Sequence, residues 1–134
     1  MPFGTATVYT NVGKGIVPKR LIGATPAQIT PNFQAIGVGA TGAARTAAAG
    51  DTALSTEVET RVSTNAFTTV TTTQTNDTAQ CIQTTTATAS RSVDEAGLFD
   101  QTAVGGNMFI SATFAVISLA IGDSLQLTWK WQST

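Results

Sequence analysis

Histidine is absent from these 134 residues. The side chain that shuttles protons near neutral pH, which is also the commonest metal ligand, is therefore missing. A single cysteine, Cys81, excludes an intramolecular disulfide framework and a cysteine-cluster metal site. Charge is scarce too: 11 % of residues are charged, against about 25 % in an average soluble domain. A globule of this mass exposes roughly 6,600 Å², so its charges are spread at about half the usual density or less. Such a surface is either coated with threonine or covered by other copies or partners. The net charge of −1 argues against non-specific nucleic-acid binding.

Long apolar runs are missing as well. The uncharged stretch at residues 101–122 contains Gly105-Gly106-Asn107 and interleaves Ser111, Thr113 and Ser118 with its apolar residues. That pattern predicts buried strands rather than a membrane helix. Met1-Pro2-Phe3-Gly4-Thr5 lacks a basic stretch followed by an apolar core, so no secretory signal is expected. Without one, the sequon Asn76-Asp77-Thr78 reads as chance.

Threonine (26 residues), alanine (20) and glycine (12) dominate what remains. All four prolines lie in the first 31 residues, with Gly4, Gly13, Gly15 and Gly23 among them. These breakers forbid a long helix and predict an extended N-terminal arm over residues 1–34. It is basic: Lys14, Lys19, Arg20 and Arg45 are the only charges before Gly50, while all eight acids lie beyond it. The arm either hugs its own body or reaches an acidic neighbour, and Lys14, Lys19 and Arg20 are the candidate partner-binding residues.

From residue 35 to 134 the pattern is that of one β-sandwich domain. Leu125, Leu127, Trp129 and Trp131 alternate with Gln126, Thr128, Lys130 and Gln132, which predicts a strand with an apolar face. Met108, Ile110, Ala112, Phe114 and Val116 alternate likewise, and Gly122-Asp123 supplies the next turn. In Glu57–Val62 the charged residues Glu57, Glu59 and Arg61 share one face, which reads as a solvated ion-pair ladder. The Thr-rich residues 64–90 read as two strands about an Asn76-Asp77 turn, since threonine is β-branched and suits a partly solvated pleat. The fold class is all-β: a single antiparallel β-sandwich of jelly-roll type.

Several motifs invite chemistry. Gly37-Val38-Gly39-Ala40-Thr41-Gly42 matches the glycine spacing of a dinucleotide loop, but its Ala-rich continuation stops at Gly50, too short for a crossover helix. Glu57 and Glu59 would sit at a spacing compatible with paired carboxylates, and Asp51, Asp94, Glu95 and Asp100 could form an oxygen cage. No repeat or metal-site spacing supports the cage, and no serine or threonine has a base to activate it. Trp129 and Trp131 suit a core face, or a carbohydrate platform if exposed. The expected protein is no enzyme and uses no cofactor or metal.

The ending Val93-Asp94-Glu95-Ala96-Gly97-Leu98-Phe99-Asp100, Gly105-Gly106-Asn107-Met108-Phe109, Ala112-Thr113-Phe114 and Gly122-Asp123-Ser124-Leu125-Gln126-Leu127-Thr128-Trp129-Lys130 resembles that of small virion proteins of tailed bacteriophages. Ile36-Gly37-Val38-Gly39 and Asp51–Glu57 extend the resemblance over roughly residues 33–132. It implies a jelly-roll capsid cement or decoration protein that binds the major capsid protein on the virion surface after synthesis in the host cytoplasm. It implies a homo-oligomer, trimer or dimer, with neither nucleic acid nor membrane as partner. A tail-fibre or baseplate component is the alternative, and a carbohydrate-binding module a second.

Overall fold

Period-two alternation governs the molecule: a computed structural model, which describes residues 6–23, 29–41 and 45–133, places eight antiparallel strands in two sheets. They are β1 (Ala6–Tyr9), β2 (Phe33–Val38), β3 (Thr56–Val62), β4 (Thr68–Val70), β5 (Thr78–Thr86), β6 (Arg91–Phe99), β7 (Met108–Leu119) and β8 (Ser124–Gln132). One sheet has the order β1-β7-β6-β2-β3 and the other β4-β5-β8. This is the all-β sandwich that the alternation predicts. Its winding differs from a jelly roll's, because β2–β3, β4–β5 and β6–β7 keep consecutive strands side by side in one sheet.

The chain passes between sheets at residues 63–67, 87–90 and 120–123. The last two crossings brace each other, with the Ala87 N–H donating to the Asp123 carbonyl and the Gly122 N–H to the Ala87 carbonyl, each at 2.8 Å. Between the sheets lies a core of Ile36, Val93, Ala96, Leu98, Phe109, Ile110 and Trp129. Ala35, Leu54, Phe99 and Met108 form a second cluster. Residues 93–99 of β6 are all buried, as a strand covered on both faces requires.

The Thr-rich segment forms β4 and β5. Cys81, Gln83 and Thr85 point inward, while Thr84 and Thr86 face out. Between the two strands the Asp77 carboxylate accepts the N–H groups of Thr72, Thr73 and Gln74 at 2.9–3.0 Å. Asn76 takes the left-handed conformation there (φ 60°), which asparagine tolerates better than most residues. Cys81 is fully buried, and burial pushes its thiol pKa up.

The N-terminal segment is bonded to the body. β1 pairs with β7 from Ala6↔Thr113 to Tyr9↔Ile110. The Thr10 hydroxyl donates to the Met108 carbonyl and accepts the Gly13 N–H. A 3-10 turn (Gly13–Gly15) leads into α1 (Ile16–Leu21), so this stretch is helical where an extended chain was expected. The breakers do keep α1 to six residues. Pro18 is tolerated because it falls in the first turn, where N–H groups have no intrahelical partner. Ile16 is 2 % exposed in the main core, and the expected boundary after residue 34 falls inside β2. No helix of the described residues is long and apolar enough to cross a membrane.

Candidate functional site

Lys14, Lys19 and Arg20 lie together on the 3-10 turn and α1, all three exposed. Gly13 fixes this segment: a Cβ there would meet the Phe109 carbonyl oxygen at 2.4 Å, so only glycine lets the turn sit so close to β7. From that anchor Ile16 enters the core, and Val17 packs partly against it. Leu21 and Ile22 are left 85 % and 77 % exposed. Burying one such side chain gains about 1.5–3 kcal/mol, so the segment presents cations beside uncollected apolar surface. Next to it is a depression of about 380 Å³ lined by Ile16, Val17, Arg20, Phe67, Phe109 and Trp131 among others. Phe109 in its wall meets Tyr9 and Phe67 edge-on, with centroids 5.0 and 6.3 Å away.

The acids are turned inward or held by neighbours. Arg45 bridges Asp51, at 2.6 Å, and fully buried Glu95. Burial disfavours the charged Asp51, but the Ser111 hydroxyl, the Ala48 N–H and Arg45 together hold its pKa below the usual value. The Arg45 pKa is raised: its two carboxylate partners outweigh its own partial burial. Asp94 accepts the N–H groups of Ala40 and Thr41 at 3.1 and 2.8 Å. The residues that resemble a phosphate loop thus already hold an anion of the chain itself. Gly37, at the loop's start, gives Glu95 its space, since a Cβ there would meet the Glu95 Oε1 at 2.6 Å. Gly39 turns the chain with φ 94°. Gly42 lies outside the described residues. Asp100 is held by Asn107 through N–H and side-chain amide, both at 2.8 Å.

On β3 the charged residues do not form a solvated ladder. Glu59 has φ 62°, and the register between β2 and β3 shifts in this region. In a regular strand residues four apart are about 13 Å apart; here Arg61 reaches back to both oxygens of Glu57 at 2.6 and 2.9 Å. Arg61 is 7 % exposed, lies over the Phe99 ring and donates to the carbonyls of Gln101 and Gly105. Glu59 pairs with Arg91 at 2.8 Å, and this bond with that of Thr88 lowers its pKa. Neither glutamate is left over for acid–base work. Among the described residues no three His, Cys, Asp or Glu side chains gather as a ligand set, and Asp51, Asp94, Glu95 and Asp100 go to separate partners apart from the arginine shared by Asp51 and Glu95.

Trp129 is 4 % exposed and its indole donates to the Gln34 amide oxygen at 2.8 Å, which occupies one half of any two-tryptophan platform. The polar core residues Gln34 and Gln83 were not singled out from sequence. Their only signal is a glutamine at an inward position of an alternating strand. No protein-family model, curated protein or solved structure matches the chain.

Proposed function

We propose that this chain is a non-enzymatic structural protein of a phage virion, a cement or decoration protein that attaches to the major capsid protein and stabilises the shell. The observation that carries the reading is the exposed turn of Lys14, Lys19 and Arg20 beside Leu21 and Ile22. A rim of cations around apolar anchors suits an acidic protein surface with apolar hollows. All eight Asp and Glu side chains accept hydrogen bonds within the chain, Asp123 from the Ala120 N–H. A second copy therefore offers the turn little free acid, which favours a different, acidic partner such as the shell. The resemblance of residues 33–132 to small virion proteins supplies the virion part, and the low charge supports assembly into a homo-oligomer, trimer or dimer.

Deleting the whole segment would remove β1 and Ile16 from the fold, so point variants are the proper test. Lys14→Glu/Lys19→Glu leaves the fold intact, since both side chains are exposed, and weakens attachment to purified particles. Gold-labelled antibody against the chain should decorate the head. Label confined to the tail replaces this reading with a fibre or baseplate role. Attachment unchanged by the charge reversal removes the turn as the contact.

A further inference from the structure

A sheet that does not close exposes a row of backbone N–H and C=O groups at each edge, and proteins blunt such edges by shortness, bulges, charge or cover. Among the described residues the four edge strands are β1, β3, β4 and β8. β1 has four residues and β4 three. β3 is kinked at left-handed Glu59, shifts register, and carries Glu57, Glu59 and Arg61. β8 is neither short nor bulged. It runs nine residues in unbroken register with β5, from Thr78↔Gln132 to Thr86↔Ser124, with no proline and one charge, Lys130. Its inward side chains Leu125, Leu127 and Trp131 are only half-buried, and among the described residues no strand pairs with its outer edge. A depression of about 150 Å³ lined by Thr7, Phe114, Leu127 and Trp129 opens along it.

We propose that β8 pairs antiparallel with β8 of a second copy about a two-fold axis through Thr128, joining the two three-stranded sheets into one of six strands. This register pairs the whole strand with itself. On the inner face it sets Leu125 against Trp131 and Leu127 against Trp129, the aromatic–aliphatic pairs that stabilise a ladder. On the outer face it sets Lys130 against Gln126 and Thr128 against itself, so no like charges meet. The symmetry is isologous and closed, so the edge is consumed without propagating into a fibre. The inference rests on the self-association in the proposed function and not on the shell.

The test is the solution mass of the purified full-length chain over a dilution series, by light scattering and sedimentation. The expected species is a dimer, with twice the 13.8 kDa mass. Thr128→Lys sets two cations against each other across the axis and weakens association by roughly tenfold or more. Gln126→Lys, facing Lys130, does the same from a second exposed position. Thr84→Lys, on β5 beside Gln126, leaves the dimer intact because it is one strand in from the edge. Mixing Thr128→Lys with Thr128→Glu restores a dimer because the two positions meet at the axis, and the intact Thr84→Lys dimer distinguishes this edge pairing from a face-to-face contact. A monomer at every concentration, a trimer, or a Thr128→Lys protein that dimerises like wild type overturns the proposal. So does equal disruption by Thr84→Lys. A monomer that still decorates particles removes the pairing and leaves the shell reading; a β8-paired dimer that does not attach does the reverse.

Discussion

The indole N–H of Trp129 on β8 donates to the side-chain oxygen of Gln34 on β2 at 2.8 Å, across the sandwich. Gln34 is fully buried, and its amide nitrogen donates to the Thr85 hydroxyl at 2.9 Å. This chain of bonds ties the two sheets at one register. Gln34→Leu keeps the volume but strands the indole N–H and loses the Thr85 contact. The expected loss is about 2–3 kcal/mol, read as a lower urea midpoint with an unchanged slope. A loss below about 0.5 kcal/mol would show the bond to be incidental.

Gly37 and Glu95 make a second pair. Gly37→Ala drives a methyl into the carboxylate that Arg45 holds and costs about 2–4 kcal/mol, through strain and a disturbed buried ion pair. Gly50→Ala meets nothing within 4 Å and stays within about 0.5 kcal/mol. Chemical denaturation of both variants decides it, since a general intolerance of alanine would depress them alike.

Arg61 places two nitrogens of its planar fork on Glu57 and the third on two loop carbonyls. Arg61→Lys keeps the charge and loses that geometry. We expect a loss of about 2 kcal/mol, together with faster amide exchange around residues 101–105. Unchanged exchange there would mean that the loop is held by other contacts.

Stability should be level between about pH 5.5 and 8, where only histidine would ordinarily titrate. The Glu59 and Asp77 carboxyls have lowered pKa values, through the Arg91 and Thr88 bonds in one case and mainly the backbone N–H groups of Gln74 and Thr72 in the other. Asp51 is lowered as well, its hydrogen bonds and Arg45 outweighing burial. Each group favours the folded state above its ordinary carboxylate pKa of about 4, and that contribution is lost as pH falls through the lower folded value. The melting temperature should therefore drop on the acid side of the plateau, and again above about pH 8.5, where the raised thiol pKa of buried Cys81 favours the unfolded chain. A slope inside the plateau would contradict this assignment.

Asp77→Asn removes the charge that the β4–β5 turn is built around. Its acid limb should be shallower than that of wild type, and amides 72–74 should exchange faster. Identical acid limbs would place the acid sensitivity at Glu59 and Asp51.

The strands were legible where apolar residues repeat with period two, from Leu125 to Trp131 and from Met108 to Phe114, and where β-branched threonines flank the Asn76-Asp77 turn. The Gly122-Asp123 turn was legible as well, although the sheet change it makes was not, because a turn does not state which sheet follows. The segment from residue 6 to 21 misled, since one buried isoleucine and four pairing residues among breakers carry no periodic signal. The site was legible only in part. Lys14, Lys19 and Arg20 stood out as a cluster of cations, whereas the Arg45 bridge joins residues 50 apart and the Trp129–Gln34 bond residues 95 apart. Such pairings are decided by packing rather than by neighbours in the chain.

Cys81 sits at 0 % exposure on β5, opposite Trp129. A lone thiol in that place is a built-in gauge of opening. A thiol-reactive dye can reach it only in molecules whose sheets have parted, so the labelling rate reports how often the sandwich breathes, with no probe engineered in. Attachment to a partner that braces the two sheets would slow that clock, and attachment confined to the rim would leave it running at the same pace.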